Sequence, residues 1–308
     1  MQDAKEQPPP APPEDIVKMS RYKIASDENP RDVFWRLVEA YKEGEKFGEL
    51  AVQYPELQEA LVNIGCSVLE EEPRGYRVRA SKTVIANALF AMVVAGGWKD
   101  SLERLLSNLY QRKKGPEVNM LVAFGNAFAT HPAVVGEWLK ELLGSERPSE
   151  EVLSYVLHAG DADMVRFLRG ELLNIARTEI NEPQVFAMES LGILLPDDED
   201  ARKLFVQMMD DWDEETKKAA LNTLKRVEIP EAGKKAVSMY PQEVSEETRM
   251  ELEEIVVRNK EHCRAPIRAA APRLDGKEKE ALCALARRVY GQKEAHGLIG
   301  GGSVPKGY

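Results

Sequence analysis

The chain has little of what usually carries chemistry: three cysteines and four histidines in 308 residues. Cys66, Cys263 and Cys283 are too few and too scattered for a disulfide framework. That fits a reducing compartment and makes the cytoplasm the expected location. The N-terminus shows no basic segment followed by an apolar one, so no secretory signal is expected. Long hydrophobic runs are missing too. The most apolar stretch, Val84 to Ala95, contains Asn87 and falls short of the ~20 residues a spanning helix needs. It reads as a buried helix, and no membrane partner is expected.

What is present is charge. Asp and Glu number 52 against 42 Lys and Arg, a net −10, and charged residues make up 31% of the chain. An average globular chain holds about 25%, so a large solvated surface is expected. The acidic balance excludes a protein whose whole surface holds nucleic acid or anionic lipid, because phosphate affinity follows Lys and Arg density. Local basic stripes remain open. Hydrophobic residues at 43% supply a real core and exclude wholesale disorder.

Four segments follow from composition and pattern. Residues 1–15 are acidic and proline-rich, which favours a disordered tail. Residues 28–80 begin with Asn29-Pro30, a cap followed by proline at the first helical position. Two short helices follow, and then alternation broken at Pro73-Arg74-Gly75 suggests a single β-hairpin. Three helices and a hairpin resemble a winged-helix module. In that family the third helix enters the major groove of DNA and the wing touches phosphate. Here the third helix, Pro55 to Ile64, carries Glu56, Gln58 and Glu59 and no Lys or Arg. Only the wing is basic, at Arg74, Arg77 and Arg79. Protein contact is the favoured use of the module, with Arg74, Arg77 and Arg79 as the candidate nucleic-acid wing in the alternative.

From residue 81 to 292 every segment reads as helix, and the helices repeat. Ser149-Glu150, Asn181-Glu182, Asp213-Glu214 and Ser245-Glu246 recur every 32 residues. Each pair supplies a cap and a first-turn carboxylate, which satisfy orphan N–H groups and complement the helix dipole. Second helices are expected at Asp161 to Arg177, Pro196 to Met209, Pro230 to Met239 and His262 to Arg273, and a further helix opens at Asp275-Gly276. Paired helices of this length stack because neither pair can bury its apolar face alone. The expected fold is therefore all-α, an α-solenoid of helical hairpins behind the small winged module. The caps, the prolines before second helices and the alanine-rich Lys217-Lys218-Ala219-Ala220-Leu221 resemble HEAT-like repeats, including the short variety of the phycobilin lyases. The resemblance implies a binding scaffold and carries over no catalytic residue. Leu153, Val156, Val185, Met188, Ala220, Leu224, Leu252 and Ile255 are expected in the core. Residues 293–308 are expected as a flexible glycine-rich tail.

No nucleophile elbow, Walker loop or dinucleotide fingerprint occurs, and no His-Glu-x-x-His. His262, Cys263, Cys283 and His296 lack the two-to-four-residue spacing of zinc ligand pairs. Neither metal nor cofactor is expected, and the chain does not read as an enzyme. The acidic runs Asp197 to Asp200 and Asp210 to Glu215 read as charge at helix starts. The favoured function is a cytoplasmic scaffold that binds a protein partner on the face made by second helices. Its candidate contact residues are Arg166, Arg169, Arg202, Lys203, Lys234, Lys235, Arg264 and Arg268, which fall near repeat spacing. The alternatives are a nucleic-acid-binding protein using the wing and this basic stripe, and an assembly factor or lyase of the phycobilin type. Leu298, Ile299 and Tyr308 are candidates for tail docking. Oligomeric state and the partner's identity stay open.

Overall fold

The computed structural model describes residues 83–300 apart from 84, 85, 88, 91, 92, 95, 96, 114, 117, 146 and 147. The expected winged module and the tails 1–15 and 301–308 lie outside the described residues. Within them every regular element is helical, with fourteen α-helices, two short 3₁₀ turns and no strand. No single described helix is long and apolar enough to cross a membrane. The chain divides into two compact units, Met1–Leu168 and Arg169–Tyr308.

The first unit contains α1 (Lys99–Lys113), α2 (Val118–Thr130), α3 (Pro132–Leu143), α4 (Glu150–Ala159) and α5 (Ala162–Phe167). Helix α4 is the hub and touches α1, α2 and α3. Its start is set by Ser149, whose hydroxyl accepts from the Val152 amide, and its end by Gly160 at φ 61°, a left-handed turn that glycine adopts without penalty. Leu153, Tyr155 and Val156 on this helix are fully buried. Tyr155 packs on Phe124 and Phe124 on Phe90, with ring centroids 6.1 and 6.0 Å apart. Each such tilted pair contributes about 0.5–1.5 kcal/mol beyond burial of its area.

The second unit contains α6 (Arg169–Thr178), α7 (Glu182–Leu191), α8 (Glu199–Met208), α9 (Glu214–Leu224), α10 (Pro230–Met239), α11 (Glu246–Arg258), α12 (Lys260–Ala270), α13 (Gly276–Tyr290) and α14 (Gln292–Ile299). Its helices pack in two rows. One row runs α7, α9, α11, α13 and the other α8, α10, α12, α14, each helix touching the next in its row. The rows are joined where a second helix meets the following first helix, as α10 meets α11. Side-chain hydrogen bonds between distant residues of this unit span from 25 positions (Lys235 to Asp210) to 35 (Arg288 to Glu253). Each of these bonds joins one helical hairpin of the unit to the next.

The 32-residue pattern has a physical basis at the helix starts. Asp213 and Ser245 accept from the amides of Thr216 and Thr248, three residues on. Asn181 differs: it sits at φ 62°, ψ −144°, and its side chain makes no cap bond. Gln184, in the first turn, ties this helix start to its two neighbouring helices instead. Its amide nitrogen donates to the Ala176 carbonyl (3.1 Å) and its carbonyl accepts from the Thr216 hydroxyl (2.8 Å), 32 residues away. Gln184 thereby takes the inward position expected of Val185, which is only half-buried, while Met188, Ala220, Leu224, Leu252 and Ile255 are fully buried as expected.

Three expected second helices have different bounds. The segment Asp161 to Arg177 is two helices, interrupted at Leu168, which leaves helical backbone (ψ 7°) and buries its side chain completely. Gly170 two residues later also weakens continuity, by about 1 kcal/mol relative to alanine. Helix α8 begins at Glu199 rather than Pro196, because the Asp198 carboxylate caps it by accepting from the Ala201 amide. Helix α12 runs Lys260–Ala270, and Ala271–Arg273 continue as a 3₁₀ turn. Helix α10 matches its expected bounds. Residues 292–299 form α14 against α13 and α12, where a flexible tail was expected from residue 293. Buried Ala295 and Leu298 supply the apolar face that holds it there.

Candidate functional site

The second helices of the second unit carry two adjacent grooves. The first, about 490 Å³, lies between α8 and α10 and is lined by Arg202, Lys203, Val206, Ile229, Glu231 and Lys235 among others. The second, about 270 Å³, lies between α10 and α12 and is lined by Lys234, Val237, Pro266, Ala269 and Arg273 among others. Helix α10 forms one wall of each. Gly233, fully inside, lets α10 approach α12 closely, and the consecutive lysines 234 and 235 then face opposite grooves. The candidate basic residues are thus brought to the grooves at four positions: Arg202, Lys203, Lys234 and Lys235.

Most of the candidate cations already have partners. Arg169 forms a fork with Asp198 and reaches Asp200 at 2.6 Å. Those hydrogen bonds raise the Arg169 pKa above its ordinary value and hold the Asp198 carboxyl below its own, against the opposing effect of burial. Lys235 donates to the Val206 and Gln207 carbonyls at the end of α8 and to Asp210 (2.7, 3.1 and 2.5 Å). It is a helix C-cap as much as a surface charge. Lys203 pairs with Glu199 at 2.6 Å and Arg264 with Glu261 and Glu294 at 3.1 and 3.0 Å. In the first unit Arg166 pairs with Asp163 at 2.8 Å. Arg202 donates to the Pro196 carbonyl at 3.3 Å, while its buried Nε has no partner. Lys234 and Arg268 are exposed and make no ion pair among the described residues.

Tail docking divides likewise: Leu298 is buried in α14, Ile299 is half-buried, and Tyr308 lies outside the described residues with Arg74, Arg77 and Arg79. Among the described residues no group of three or more His, Cys, Asp or Glu is placed to hold a metal ion. Cys263 is fully buried beside Gly233, and burial pushes its thiol up to about 11. His158 donates from Nδ1 to the Ser154 carbonyl at 2.8 Å, and His262 meets Glu228 at 3.2 Å. No protein-family model matches the chain, and no curated protein matches it.

One set of residues escaped the sequence reading. Ile180, Trp212 and Val244 are exposed large apolar side chains, at 58%, 81% and 91%. They stand 32 residues apart, each directly before a helix cap. The signal that finds them is the cap period itself, extended by one position toward the N-terminus.

Proposed function

We propose that the chain is a non-catalytic scaffold of stacked helical hairpins, a HEAT-like α-solenoid acting in the cytoplasm, which binds a protein partner across its second helices. The observation that carries this reading is the pair of grooves flanking α10, each combining apolar floor residues with Lys or Arg at the rim. An apolar centre with a charged rim is the anatomy of a protein interface. Internal pairing of Arg169, Lys203, Lys235 and Arg264 supports a protein partner over a nucleic acid, because carboxylates beside those cations oppose a phosphate backbone.

The test is affinity purification of the tagged full chain from its native host, run beside a variant carrying Lys203→Glu, Lys234→Glu and Arg268→Glu. All three positions are exposed, so the variant is expected to melt like the parent. The expected result is a protein whose recovery falls at least about tenfold with the variant and survives nuclease treatment. Recovery abolished by nuclease would instead favour the nucleic-acid reading. If no protein depends on these positions, the proposal is wrong.

A further inference from the structure

The exposed row Ile180, Trp212, Val244 lies on the turns that join second helices to the next first helices: α6 to α7, α8 to α9, and α10 to α11. Trp212 and Val244 are the two most exposed large apolar side chains among the described residues. A structural explanation is available for an apolar residue before a cap: it can staple to the fourth helical residue. At Trp212 and Val244 that fourth residue is Lys217 and Arg249, and exposures of 81% and 91% exclude a staple. At that exposure Trp212 contributes little to packing among the described residues. Exposed apolar side chains at repeat spacing, two of them without a staple, offer a surface that a partner can cover.

The surroundings of the row state the charge of what it meets. Each apolar residue is followed by exposed first-turn carboxylates: Glu182; Glu214 and Glu215; Glu246 and Glu247. Glu182, Glu215 and Glu246 make no ion pair among the described residues. The lysines nearby are already engaged, Lys217 with Glu243 at 3.2 Å, Lys218 with Glu247 at 2.9 Å and Lys235 with Asp210 at 2.5 Å. Arg177 and Arg249 are the cations beside the row that make no ion pair among the described residues, so the edge is apolar with an excess of unpaired carboxylates, Glu182, Glu215 and Glu246, over unpaired cations.

Spacing narrows the partner further. Packed neighbouring helices lie about 8–10 Å apart, so the row advances by about that much per hairpin. A polyproline II strand has three residues per turn and a rise of about 3.1 Å, which repeats one face every ~9 Å. A flat β-strand would place every third residue on the opposite face. We propose that this edge docks an extended, basic segment of a partner protein in polyproline II conformation, with an apolar side chain at every third position and Lys or Arg between. Its apolar residues would sit against Ile180, Trp212 and Val244, and its cations against Glu182, Glu215 and Glu246. The inference stands independently of the second-helix grooves, since none of the six residues that would contact the segment lines them.

The test uses the full chain and a fluorescein-labelled peptide of Leu-Pro-Arg repeats, four turns long, read by fluorescence anisotropy. Two control peptides replace Leu by Ser or Arg by Glu. Saturable binding is expected, weakened by salt and at least about tenfold poorer for each control. The double variant Trp212→Ser, Val244→Ser is expected to lose at least about tenfold while melting at the parent temperature, because both side chains are exposed. The groove variant Lys203→Glu, Lys234→Glu, Arg268→Glu is expected to bind the peptide like the parent. Equal binding of the Ser control, no effect of the double variant, or no binding at all would each overturn the proposal. So would a fall in solution mass in the double variant, which would assign the row to a second copy of the chain.

Discussion

Replacing Gly233 with alanine tests the close approach of α10 to α12, which bounds the second groove. A Cβ at this position would lie 2.6 Å from the Asn259 Cβ, 2.8 Å from the Cys263 Sγ and 3.2 Å from the Asn259 Cγ. Optimal carbon contacts lie near 3.5–4.0 Å, so the helices must separate by about 1 Å or one must rotate. Neither neighbour can swing away, because Asn259 and Cys263 are fully buried. Overpacking of this kind costs about 1–3 kcal/mol. Against it stands the helix-propensity gain of alanine over glycine, about 0.8–1.0 kcal/mol. The clash involves two rigid residues at once, so the upper part of the range applies and a net loss of about 1–2 kcal/mol is expected. Gly297 in α14 is the matched control: a Cβ there meets nothing within 4 Å. Alanine at Gly297 is expected to be neutral or to gain a few tenths of a kcal/mol up to about 1. Urea unfolding of the full chain, followed by far-UV circular dichroism, reads both. A Gly233→Ala midpoint equal to or above the parent's would refute the close contact of α10 with α12.

The helix starts separate two kinds of asparagine, aspartate and serine. Asp213→Ala and Ser245→Ala each remove a cap that accepts a backbone amide, and each is expected to cost about 1 kcal/mol in urea unfolding. Asn181→Gly is expected to raise stability instead, since Asn181 holds a left-handed φ of 62° without a cap bond. Asp198 is held below the ordinary carboxylate range by Arg169, so it contributes stability above its unfolded pKa that is lost as pH falls through its folded pKa. Melting of Asp198→Asn is therefore expected to lie below the parent at pH 7 and to converge with it under strong acid; a gap that persists under strong acid would refute the linkage. Cys263, buried and with its thiol pushed up to about 11, is expected to resist iodoacetamide at pH 8 until the chain unfolds, while the half-buried Cys283 reacts in the native state. Peptide mapping of the alkylated protein checks it, and equal rates at both cysteines would contradict the packing of α12.

What the sequence made legible was the element that repeats for a local reason. Cap plus first-turn carboxylate satisfies N–H groups within one helix, so its spacing survives in the sequence whatever the tertiary structure does. The bounds of α10 were legible for the same reason: Pro230 occupies the first helical position. What was not legible depends on partners about thirty residues away. Pro196 looked like a helix start, but the cap at Asp198 is fixed also by Arg169 from the preceding hairpin. Val185 looked like the core residue of its turn, but Gln184 had a carbonyl on α6 and a hydroxyl on α9 to reach. A buried glutamine with both ends satisfied costs little, and periodicity alone does not reveal that satisfaction.

The same division governs the charges. Spacing placed Lys and Arg on the second helices, and the structure pairs Arg166, Arg202 and Lys203 locally and gives three others, Arg169, Lys235 and Arg264, partners one hairpin away. A cation held this way locks neighbouring repeats in register, and its exposed fraction contributes modestly to stability. Its field is largely cancelled for an incoming partner. Among the described residues some carboxylates have no local counterpart, and at the edge beside Trp212 these stand next to exposed apolar side chains. Uncancelled charge beside exposed apolar surface is more informative about a partner than paired charge on a helix face, because pairing already explains the latter. On that ground the turn edge outranks the basic stripe as a recognition surface for which chemistry can be stated.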